Sequence, residues 1–368
     1  MIAIVGGGIC GLSIGWYLAQ AGQPVTVLER GAVGREATWA AAGLIAPWCL
    51  PGTTDKFLFR MQVASHALWP DFARHLETTA QVDIDFRTEG RLFIILDHED
   101  MRGLREEFEL NKELGLPLEW LSAQEIHERE PNLTPAVTNG IFSPTTYLVD
   151  NRKVALALRE AFQRAGGQLR ENTPVQEIVV SDNRVQGVRV DGEILAAEKV
   201  VLAAGAWSSE IAGLPQAARP PVRPVKGQML ALRMPPDSPL LKHTISGPVY
   251  LYPRSDGRLL IGATVEEQKF DKEVTAGAVF ELLDEARRML PAIDNLPILE
   301  TWAGLRPAGA DNRPILGPTK IEGLSVATAH FKHGIMLAPI TAQAISRLIL
   351  DGTQMDEIQP FSPLRFAS

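Results

Sequence analysis

The hydrophobic pattern of the first thirty residues predicts a βαβ unit. A continuous apolar run over Ile2–Val5 is typical of a strand buried on both faces of a parallel sheet. Helical periodicity then covers 12–19, and a second apolar run, Val25–Leu28, ends at Glu29. Three glycines between the first strand and the helix have the G-x-G-x-x-G spacing: Gly6, Gly8 and Gly11. This combination predicts a dinucleotide-binding fold.

Each residue type in this unit has a physical role. Gly6 permits the tight turn, Gly8 lets backbone N–H groups approach a pyrophosphate, and Gly11 lets the helix pack closely on the strand. The helix N-terminus then directs its positive end toward the phosphates. Glu29 is placed to accept hydrogen bonds from both hydroxyls of an adenosine ribose. A glycine-rich turn in another α/β fold is the alternative, but such a turn does not need Glu29.

The hydrophobic pattern after residue 30 predicts both helices and strands. The helical ranges are 55–79, 99–114, 150–166, 276–290 and 336–350. The strand ranges are 90–96, 175–180, 184–190, 199–204, 226–232, 249–253, 258–264, 314–317 and 324–328. The proline-interrupted stretch 117–135 is expected to form loops. The strands after 220 are expected to form a mostly antiparallel sheet on the substrate side.

Two runs of small residues predict close approach of the backbone to a bound group. The run 40–43 reads Ala-Ala-Ala-Gly and is expected at the start of a helix, where a tightly packed helix pair is the alternative. The strand that begins at Lys199 runs into Ala-Gly-Ala around Gly205. A dehydrogenase that binds only a nicotinamide cofactor has no need of this late strand, whereas a flavoprotein of the two-dinucleotide-binding type does.

Length, charge and residue composition exclude several classes of protein. The chain of 368 residues is 45% hydrophobic and 22% charged, which suits two globular domains. A net charge of −8 argues against nucleic acid or anionic membranes as partners. The two cysteines, Cys10 and Cys49, make no disulfide framework, and the histidines lack metal-ligand spacing. No apolar run is long enough to span a bilayer and the glycine motif begins at residue 6, so we expect a soluble, cytoplasmic protein.

Seven segments, in family order, resemble the FAD-dependent amine oxidases of the D-amino acid oxidase family, and among these most closely the glycine oxidases. The segments are IVGGGICG with Glu29, AAAGL, VVLAAGAWS, PVKGQML, YPRSDGRLLIGAT, WAGLRP and AHFKHGIMLAPIT. They cover essentially the whole chain. The resemblance implies an α/β fold, α+β overall, with a Rossmann-like FAD-binding domain (1–85, 145–225 and 300–368) and an antiparallel-sheet substrate domain (86–144 and 226–299).

The resemblance also implies a non-covalent FAD, because relatives with a covalent flavin use a cysteine late in the chain and the last one here is Cys49. The motif and its neighbours would hold the adenosine and pyrophosphate, 42–44 would lie against the flavin, Val175 would contact the adenine end and 330–336 would wrap the isoalloxazine. The implied contacts are Gly6, Gly8, Ile9, Cys10, Gly11, Glu29, Arg30, Thr38, Ala42, Gly43, Leu44, Val175, Gly205, His330, Phe331, Lys332, His333, Gly334, Ile335 and Met336.

The family's substrate clamp corresponds to Arg306 and Tyr250. A guanidinium grips a carboxylate with two hydrogen bonds, and a phenol adds a third. The implied reaction is hydride transfer from a small amino acid or N-substituted glycine to the flavin, with oxygen as acceptor and hydrogen peroxide as product. For Arg306 the alternative is a salt bridge that anchors its strand. For Tyr250 the alternative is that Tyr252 takes its place.

Two positions depart from glycine oxidase. Lys332 replaces a second active-site arginine, and Pro248 replaces a histidine two residues before Tyr250. These departures leave open a second hypothesis, an enzyme with the same fold and cofactor but another amine substrate or another electron acceptor. A third hypothesis is a flavoprotein sensor without catalysis, in which Arg306 and Tyr250 would have no purpose. Relatives are often dimers or tetramers, so a homo-oligomer is compatible with the sequence.

Overall fold

The computed structural model describes residues 1–50, 55–96, 101–235 and 237–366. Its helices are α1 (Ile9–Gln20), α2 (Ala37–Ala40), α3 (Lys56–Ala80), α4 (Met101–Glu113), α5 (Ala123–Arg129), α6 (Asn151–Arg164), α7 (Ala276–Met289) and α8 (Ala338–Asp351). Its strands are β1 (Ile2–Val5), β2 (Val25–Leu28), β3 (Leu44–Ile45), β4 (Arg91–Ile95), β5 (Glu119–Ser122), β6 (Asn139–Ser143), β7 (Tyr147–Leu148), β8 (Gln168–Arg170), β9 (Glu177–Ser181), β10 (Arg184–Val190), β11 (Glu193–Ala196), β12 (Lys199–Leu202), β13 (Val222–Arg233), β14 (Thr244–Ser246), β15 (Tyr250–Pro253), β16 (Arg258–Gly262), β17 (Ile298–Gly309), β18 (Ile315–Pro318) and β19 (Leu324–Thr328).

Strand β1 lies inside a six-stranded sheet of order β18-β19-β12-β1-β2-β8. It pairs in parallel with β2 and β12, so that Ile2 lies opposite both Val25 and Lys199. All residues of β1 and β2 are buried, as expected for parallel strands covered on both faces. The βαβ unit predicted from the sequence is confirmed. The carboxyl ends of these parallel strands meet at one edge of the sheet, which is where open α/β sheets bind ligands.

Helix α1 packs against α6 and α8 and is apolar on almost every side. Leu12, Ile14 and Trp16 have no exposed surface, because neighbouring helices cover the faces that the sheet leaves open. Helix α6 begins where the Asp150 carboxylate accepts hydrogen bonds from two backbone N–H groups of its first turn. The helical layer therefore fixes α1 and the glycine turn that precedes it.

An eight-stranded sheet forms the other half of the molecule, with the order β17-β13-β16-β15-β14-β4-β6-β5. Adjacent strands are antiparallel except β14 and β4. The predicted strands 249–253 and 258–264 contain β15 and β16, which form a hairpin with Pro253 opposite Leu259. Strands β13 and β17 form a long ladder, which runs from Val222 opposite Gly309 to Leu232 opposite Ile298. The mixed α/β architecture with an antiparallel sheet is therefore as the sequence predicted.

The same two strands cross the predicted domain boundaries. Residues of β13 belong to different apolar cores, since Val222 packs with Val200 of the parallel sheet and Leu230 packs with Ile261 of the antiparallel sheet. Boundaries at 225 and 299 would divide β13 and β17. The division into a cofactor domain and a substrate domain stays a prediction.

Several local predictions were wrong. The stretch 117–135, expected to be loops, contains β5 and α5, because Ser122 and Glu125 form a reciprocal capping box that starts a helix between the prolines. The run 40–43 does not begin a helix. Helix α2 ends at Ala40, and the chain then becomes extended and turns at Gly43, whose φ is 76°.

Other differences concern element ends. Val175 lies before β9, which begins at Glu177, and α8 begins at Ala338. Residues 99–100 of the predicted helix 99–114 lie outside the described residues, and the rest contains α4. No helix in the described part of the chain has the length and apolar character needed to cross a bilayer.

Candidate active site

A cavity of about 500 Å³ lies where the two large sheets meet. One wall consists of the turns that follow β1, β2, β12 and β19 at the carboxyl edge of the parallel sheet. The facing wall consists of residues from β13, β15 and β17 of the antiparallel sheet. Small-molecule and cofactor sites have volumes of roughly 300–1,000 Å³. The cavity therefore has the size and the place in the fold of a ligand site.

Glycines shape the turn after β1. A Cβ at Gly6, whose φ is 110°, would lie 2.4 Å from the Ala203 carbonyl oxygen, and one at Gly11 would lie 2.0 Å from that of Gly6. Only glycine fits at these two positions. Gly8 is the N-cap of α1 and offers no side chain to cap it. The helix N-terminus therefore opens on the cavity as a site that favours an anion.

Glu29 is buried at the end of β2 and lines the cavity. Its two carboxylate oxygens accept hydrogen bonds from the Gly7 and Gly31 backbone N–H groups, at 2.8 and 3.0 Å. Each oxygen keeps a lone pair for a further donor. The carboxylate thus ties the glycine turn to β2 and still presents acceptors to a ligand.

Arg30 packs in a way that the sequence did not suggest. Its guanidinium carbon lies 3.5 Å from the centroid of the Trp207 ring, and its Nη2 pairs with Glu36 Oε1 at 2.6 Å. Trp207 stacks in turn on Phe270, with centroids 5.4 Å apart. Arg30 and Trp207 both line the cavity, so this stack joins the turns after β2 and β12.

The segment between β19 and α8 forms another part of the wall. Ala329 and Phe331 have φ values of 60° and 50°, which are uncommon for residues other than glycine. The Phe331 N–H donates to the Pro307 carbonyl at 2.8 Å, which holds this backbone against β17. Backbone strain of this kind clusters at functional sites, where the surrounding structure enforces it.

His330 is buried between two polar groups in this segment. Its Nε2 lies 3.0 Å from Thr341 Oγ1, and its Nδ1 lies 3.6 Å from the Cys10 sulfur. Burial, and then the proximity of His333, lowers the pKa of His330 to about 4. Burial raises the pKa of the Cys10 thiol to about 12. Both groups are therefore neutral at pH 7.

Arg306, in β17, projects its guanidinium into the cavity wall beside β13. Its Nη1 donates to the carbonyl oxygens of Lys226 and Thr264, at 3.1 and 3.0 Å. Burial lowers its pKa, while Tyr250 and Glu266 act in the opposite direction. No described carboxylate forms an ion pair with it. The salt bridge considered as the alternative is absent among the described residues, and this partly buried cation can receive an anion.

Tyr250 and Tyr252 both line the cavity and stack on each other, with centroids 4.5 Å apart. The Tyr250 hydroxyl donates to the Met229 sulfur at 3.1 Å, a weak acceptor that a better one can replace. Burial, and then Tyr252, raises the pKa of Tyr250 against the opposing effect of Arg306. The phenol therefore stays protonated and is able to donate a hydrogen bond at neutral pH.

Lys332 is exposed to the cavity, with its ammonium 5.3 Å from the centroid of the Phe331 ring. Burial and then repulsion from Arg306 lower its pKa. No described carboxylate pairs with Lys332 either. Arg306 and Lys332 therefore bring positive charge to this part of the cavity without an ion-pair partner among the described residues. Pro248, in contrast, is exposed and does not line the cavity.

The structure brings most of the predicted residues to one cavity. Those that line it are Gly6, Gly8, Ile9, Cys10, Glu29, Arg30, Thr38, Ala42, Gly43, Leu44, Val175, Gly205, Tyr250, Arg306, His330, Phe331, Lys332, Gly334 and Ile335. Gly11, His333 and Met336 lie behind the wall. The Met336 carbonyl, for example, accepts from Ser65 Oγ and Trp69 Nε1 at 2.6 and 2.9 Å. The described residues contain no group of His, Cys, Asp and Glu arranged to hold a metal.

Several lining residues were missed by the sequence analysis. Trp207, Gly227 and Met229 line the cavity, and so does Tyr252, which had been considered only as an alternative to Tyr250. Trp207, Gly227 and Met229 lie in two of the segments that carry the family resemblance. Their position within those segments was the one signal that they could line the site. Residue type alone does not indicate whether a tryptophan or a methionine lines a cavity or packs in a core.

Comparison with known proteins decides the family. The family model "DAO: FAD dependent oxidoreductase" matches residues 1–348. The chain belongs to this family of FAD-dependent oxidoreductases. It is 34% identical to glycine oxidase of Geobacillus kaustophilus over 99% of this chain and 96% of that protein. The crystal structure of glycine oxidase from Geobacillus kaustophilus superimposes with a TM-score of 0.92 at 33% identity, covering 99% of this chain and 98% of that one.

Other relatives differ in length or in name. Bifunctional protein ThiO/ThiG of Trichormus variabilis is 34% identical over 99% of this chain, which spans 55% of that protein. The chain therefore covers about half the length of the bifunctional relatives that it matches. The structure of iminodiacetate oxidase from Chelativorans has a TM-score of 0.88 at 25% identity and covers 99% of both chains.

The residues present fit the family's cofactor, FAD. The N-cap of α1, Gly8, has no side chain, and with the close glycine turn this suits a pyrophosphate beside the Ile9 N–H that Thr38 accepts. Glu29 keeps acceptors for ribose hydroxyls. Residues 40–43 are all alanine or glycine and line the cavity, so no large side chain projects into it from this stretch. At neutral pH Cys10 is a neutral thiol beside His330, so it adds no negative charge near the phosphates.

Proposed function

We propose that this protein is an oxidase of glycine and small N-substituted glycines such as sarcosine. The observation that carries the proposal is the state of Arg306, a guanidinium held by two carbonyls, without a described carboxylate partner, in the wall of the cavity. A partly buried cation without an ion-pair partner favours a carboxylate ligand. The extended similarity to glycine oxidases supports a small amino acid as the owner of that carboxylate.

The protein's part in this reaction is recognition and orientation. Arg306 would bind the substrate carboxylate, and the Tyr250 hydroxyl would exchange the Met229 sulfur for a carboxylate oxygen. The carbonyl bonds of Arg306 leave the guanidinium one orientation, which fixes the α-carbon of the substrate within the cavity. Bound FAD would supply the hydride acceptor for that carbon. The imine product then hydrolyses to an oxo acid and ammonia. If the substrate nitrogen was substituted, an amine is released instead of ammonia, together with the same oxo acid.

Lys332 would contribute long-range attraction. Its ammonium adds positive charge to the cavity but cannot form the planar double hydrogen bond of an arginine. Carboxylate binding would therefore depend on Arg306 for geometry and on Lys332 for charge. Electrostatic attraction of this kind also concentrates anionic substrates at the cavity.

An anaerobic titration tests the proposal. Purified yellow protein is mixed without oxygen with glycine, sarcosine, N-ethylglycine and glycinamide, and the visible flavin band is followed before air is admitted. We expect glycine or sarcosine to bleach the band and air to restore it rapidly with release of hydrogen peroxide. Glycinamide has the amine but lacks the carboxylate, so it serves as the matched control and should not bleach. If no carboxylate-bearing amine bleaches the flavin, the proposal is wrong.

A second candidate keeps the fold and FAD but uses another electron acceptor. Lys332 favours it, because a lysine here departs from the arginine expected in glycine oxidases. Bleaching by amines followed by slow recovery in air, and fast recovery with a quinone, would support this candidate. Rapid recovery in air would eliminate it.

The cellular setting follows from the same function. We propose that the protein acts in the cytoplasm, where small amino acids are abundant, with molecular oxygen as the acceptor. A homo-oligomer is the assembly that we propose for it. Light scattering of the purified holoprotein tests the assembly, and a single-chain mass would contradict it.

A further inference from the structure

Arg254 is a buried guanidinium that does not line the cavity but connects its two walls. It directly follows β15, the strand of Tyr250, and only 3% of it is exposed. Its Nη2 donates to the Ala42 carbonyl at 2.8 Å and to Asn151 Oδ1 at 3.1 Å, and its Nη1 donates to the Val149 carbonyl. Arg254, at the end of a strand of the antiparallel sheet, thus holds the backbone that leads into β3.

The carbonyls around Arg254 belong to a tightly packed part of the wall. The Val149 N–H donates to the Gly43 carbonyl at 3.0 Å. A Cβ at Gly43 would lie 2.0 Å from the Val149 carbonyl oxygen and 3.0 Å from Arg254 Nη2. The guanidinium therefore fills the space that the missing side chain leaves, and Ala42 and Gly43 line the cavity on the other side.

Asn151 extends the same network to α2. Its Nδ2 donates to the Thr38 and Trp39 carbonyls, at 2.7 and 3.0 Å, while its Oδ1 accepts from Arg254. Thr38 also accepts the Ile9 N–H at 2.9 Å through its hydroxyl, which connects the network to the first turn of α1. Asn151 and Arg254 together therefore hold the backbone between α2 and β3.

Arg254 keeps its charge despite its burial. Burial lowers its pKa to about 10, while Asp150 and Asp85 act in the opposite direction. The Asp85 carboxylate accepts the Ser255 N–H at 3.2 Å, and Asp150 caps α6. The guanidinium is therefore protonated at neutral pH. A buried cation held by carbonyls is sensitive to the loss of any one of them.

We infer that Arg254 is a positioning residue for the flavin. By holding the Ala42 carbonyl, it sets the distance between the 41–44 backbone and the strand that carries Tyr250. The inference rests on the proposed placement of the flavin against 42–44. Arg254 does not touch the substrate, so its effect reaches bound FAD only through the backbone of this wall.

Two variants with a matched control test the role. Arg254→Lys keeps the charge but has one nitrogen for three acceptors, and Arg254→Met removes the charge. The control is Arg258→Gln, which removes another guanidinium from the same hairpin. The Arg258 guanidinium pairs with Asp150 and Asp256 and makes no described hydrogen bond to Ala42. The readouts are the dissociation constant for FAD and the visible spectrum of the bound flavin, and neither needs a substrate.

We expect Arg254→Lys to raise the dissociation constant at least tenfold and to shift the flavin spectrum, and Arg254→Met to have a larger effect. The control should stay within twofold of the native protein. A native spectrum and affinity in Arg254→Lys would overturn the inference. Because no amine is present, failure of glycine to act as substrate would leave these results unchanged.

Thermal melting of the apoproteins covers the case in which both variants lose FAD entirely. If the variant apoproteins melt at the temperature of the native apoprotein, the defect lies in cofactor placement and the inference stands. If they melt far lower while Arg258→Gln does not, Arg254 supports the fold alone and the inference fails.

Discussion

The guanidinium of Arg306 lies directly against the backbone of Gly227. A Cβ at Gly227 would lie 2.3 Å from Arg306 Nη2 and 2.5 Å from its Cζ. Because Nη1 is already bonded to the Lys226 and Thr264 carbonyls, the guanidinium cannot move aside without losing them. The absence of a side chain at Gly227 is therefore part of the carboxylate site that we propose.

Gly227→Ala should displace Arg306 and impair substrate binding. Overpacking of this kind costs about 1–3 kcal/mol. Here we expect the cost to appear as a raised KM for glycine with FAD affinity unchanged. Steady-state kinetics and FAD titration measure the two effects separately. Gly277→Ala in α7, where a Cβ would meet no atom within 4 Å, is the matched control and should behave like the native protein.

Arg306→Ala should weaken every carboxylate-bearing substrate. Loss of a buried charged partner costs about 2–5 kcal/mol, which corresponds to roughly 30-fold or more in kcat/KM. Arg306→Lys should recover only part of this, because an ammonium does not form the planar double hydrogen bond. Arg233→Ala, an exposed position at the end of β13, serves as the control. Unchanged kinetics in Arg306→Ala would remove this residue from the site.

Lys332→Arg should change the pH dependence of the enzyme. The pKa of Lys332 is lowered, so its positive charge is lost as the pH rises through that lowered value. An arginine keeps its charge throughout this range. The ratio of kcat/KM for Lys332→Arg to that of the native enzyme should therefore rise with pH. Taking the ratio cancels ionisation of the substrate, and a ratio independent of pH would contradict the role given to Lys332.

His330 should make the fold sensitive to acid. Its pKa is about 4 in the folded protein against an ordinary 6.5, so between these values the unfolded chain binds a proton that the native state does not. The free energy of unfolding should therefore fall as the pH drops from 6.5 to 4, by up to roughly 3 kcal/mol from this group. Urea unfolding of the FAD-saturated protein across this range measures the slope. His330→Gln should reduce it, whereas an equal slope would show that other groups cause the effect.

The sequence predicted best those features that depend on neighbouring residues. The unit β1–α1–β2 follows from an apolar run, a glycine spacing and a closing acid, all of which act within thirty residues. The roles proposed for Arg306 and Tyr250 came instead from the family resemblance, because no local pattern distinguishes a substrate-binding arginine from a surface one. The structure adds that both line one cavity.

Features that join distant parts of the chain could not be predicted. The stacking of Arg30 on Trp207 requires that the turns after β2 and β12 meet. The close contact of Gly227 with Arg306 requires the register of β13 and β17. Strand β5 and helix α5 were missed for another reason, because the prolines at 117 and 131 mark the ends of these elements and not a continuous loop. Tertiary packing decided the first two features, whereas α5 begins at a local capping box of Ser122 and Glu125.

The ladder of β13 and β17 limits how an amine can reach Arg306. The two strands remain paired from the end near the parallel sheet, past Arg306, into the antiparallel sheet. The pairing keeps one register from Val222 to Ala231 and shifts only between Ala231 and Leu232, so main-chain hydrogen bonds join the two halves of the molecule over this length. Opening by rotation of whole lobes would require breaking main-chain hydrogen bonds on both sides of the guanidinium. We therefore expect entry and exit of small molecules to depend on side chains and short turns at the rim of the cavity.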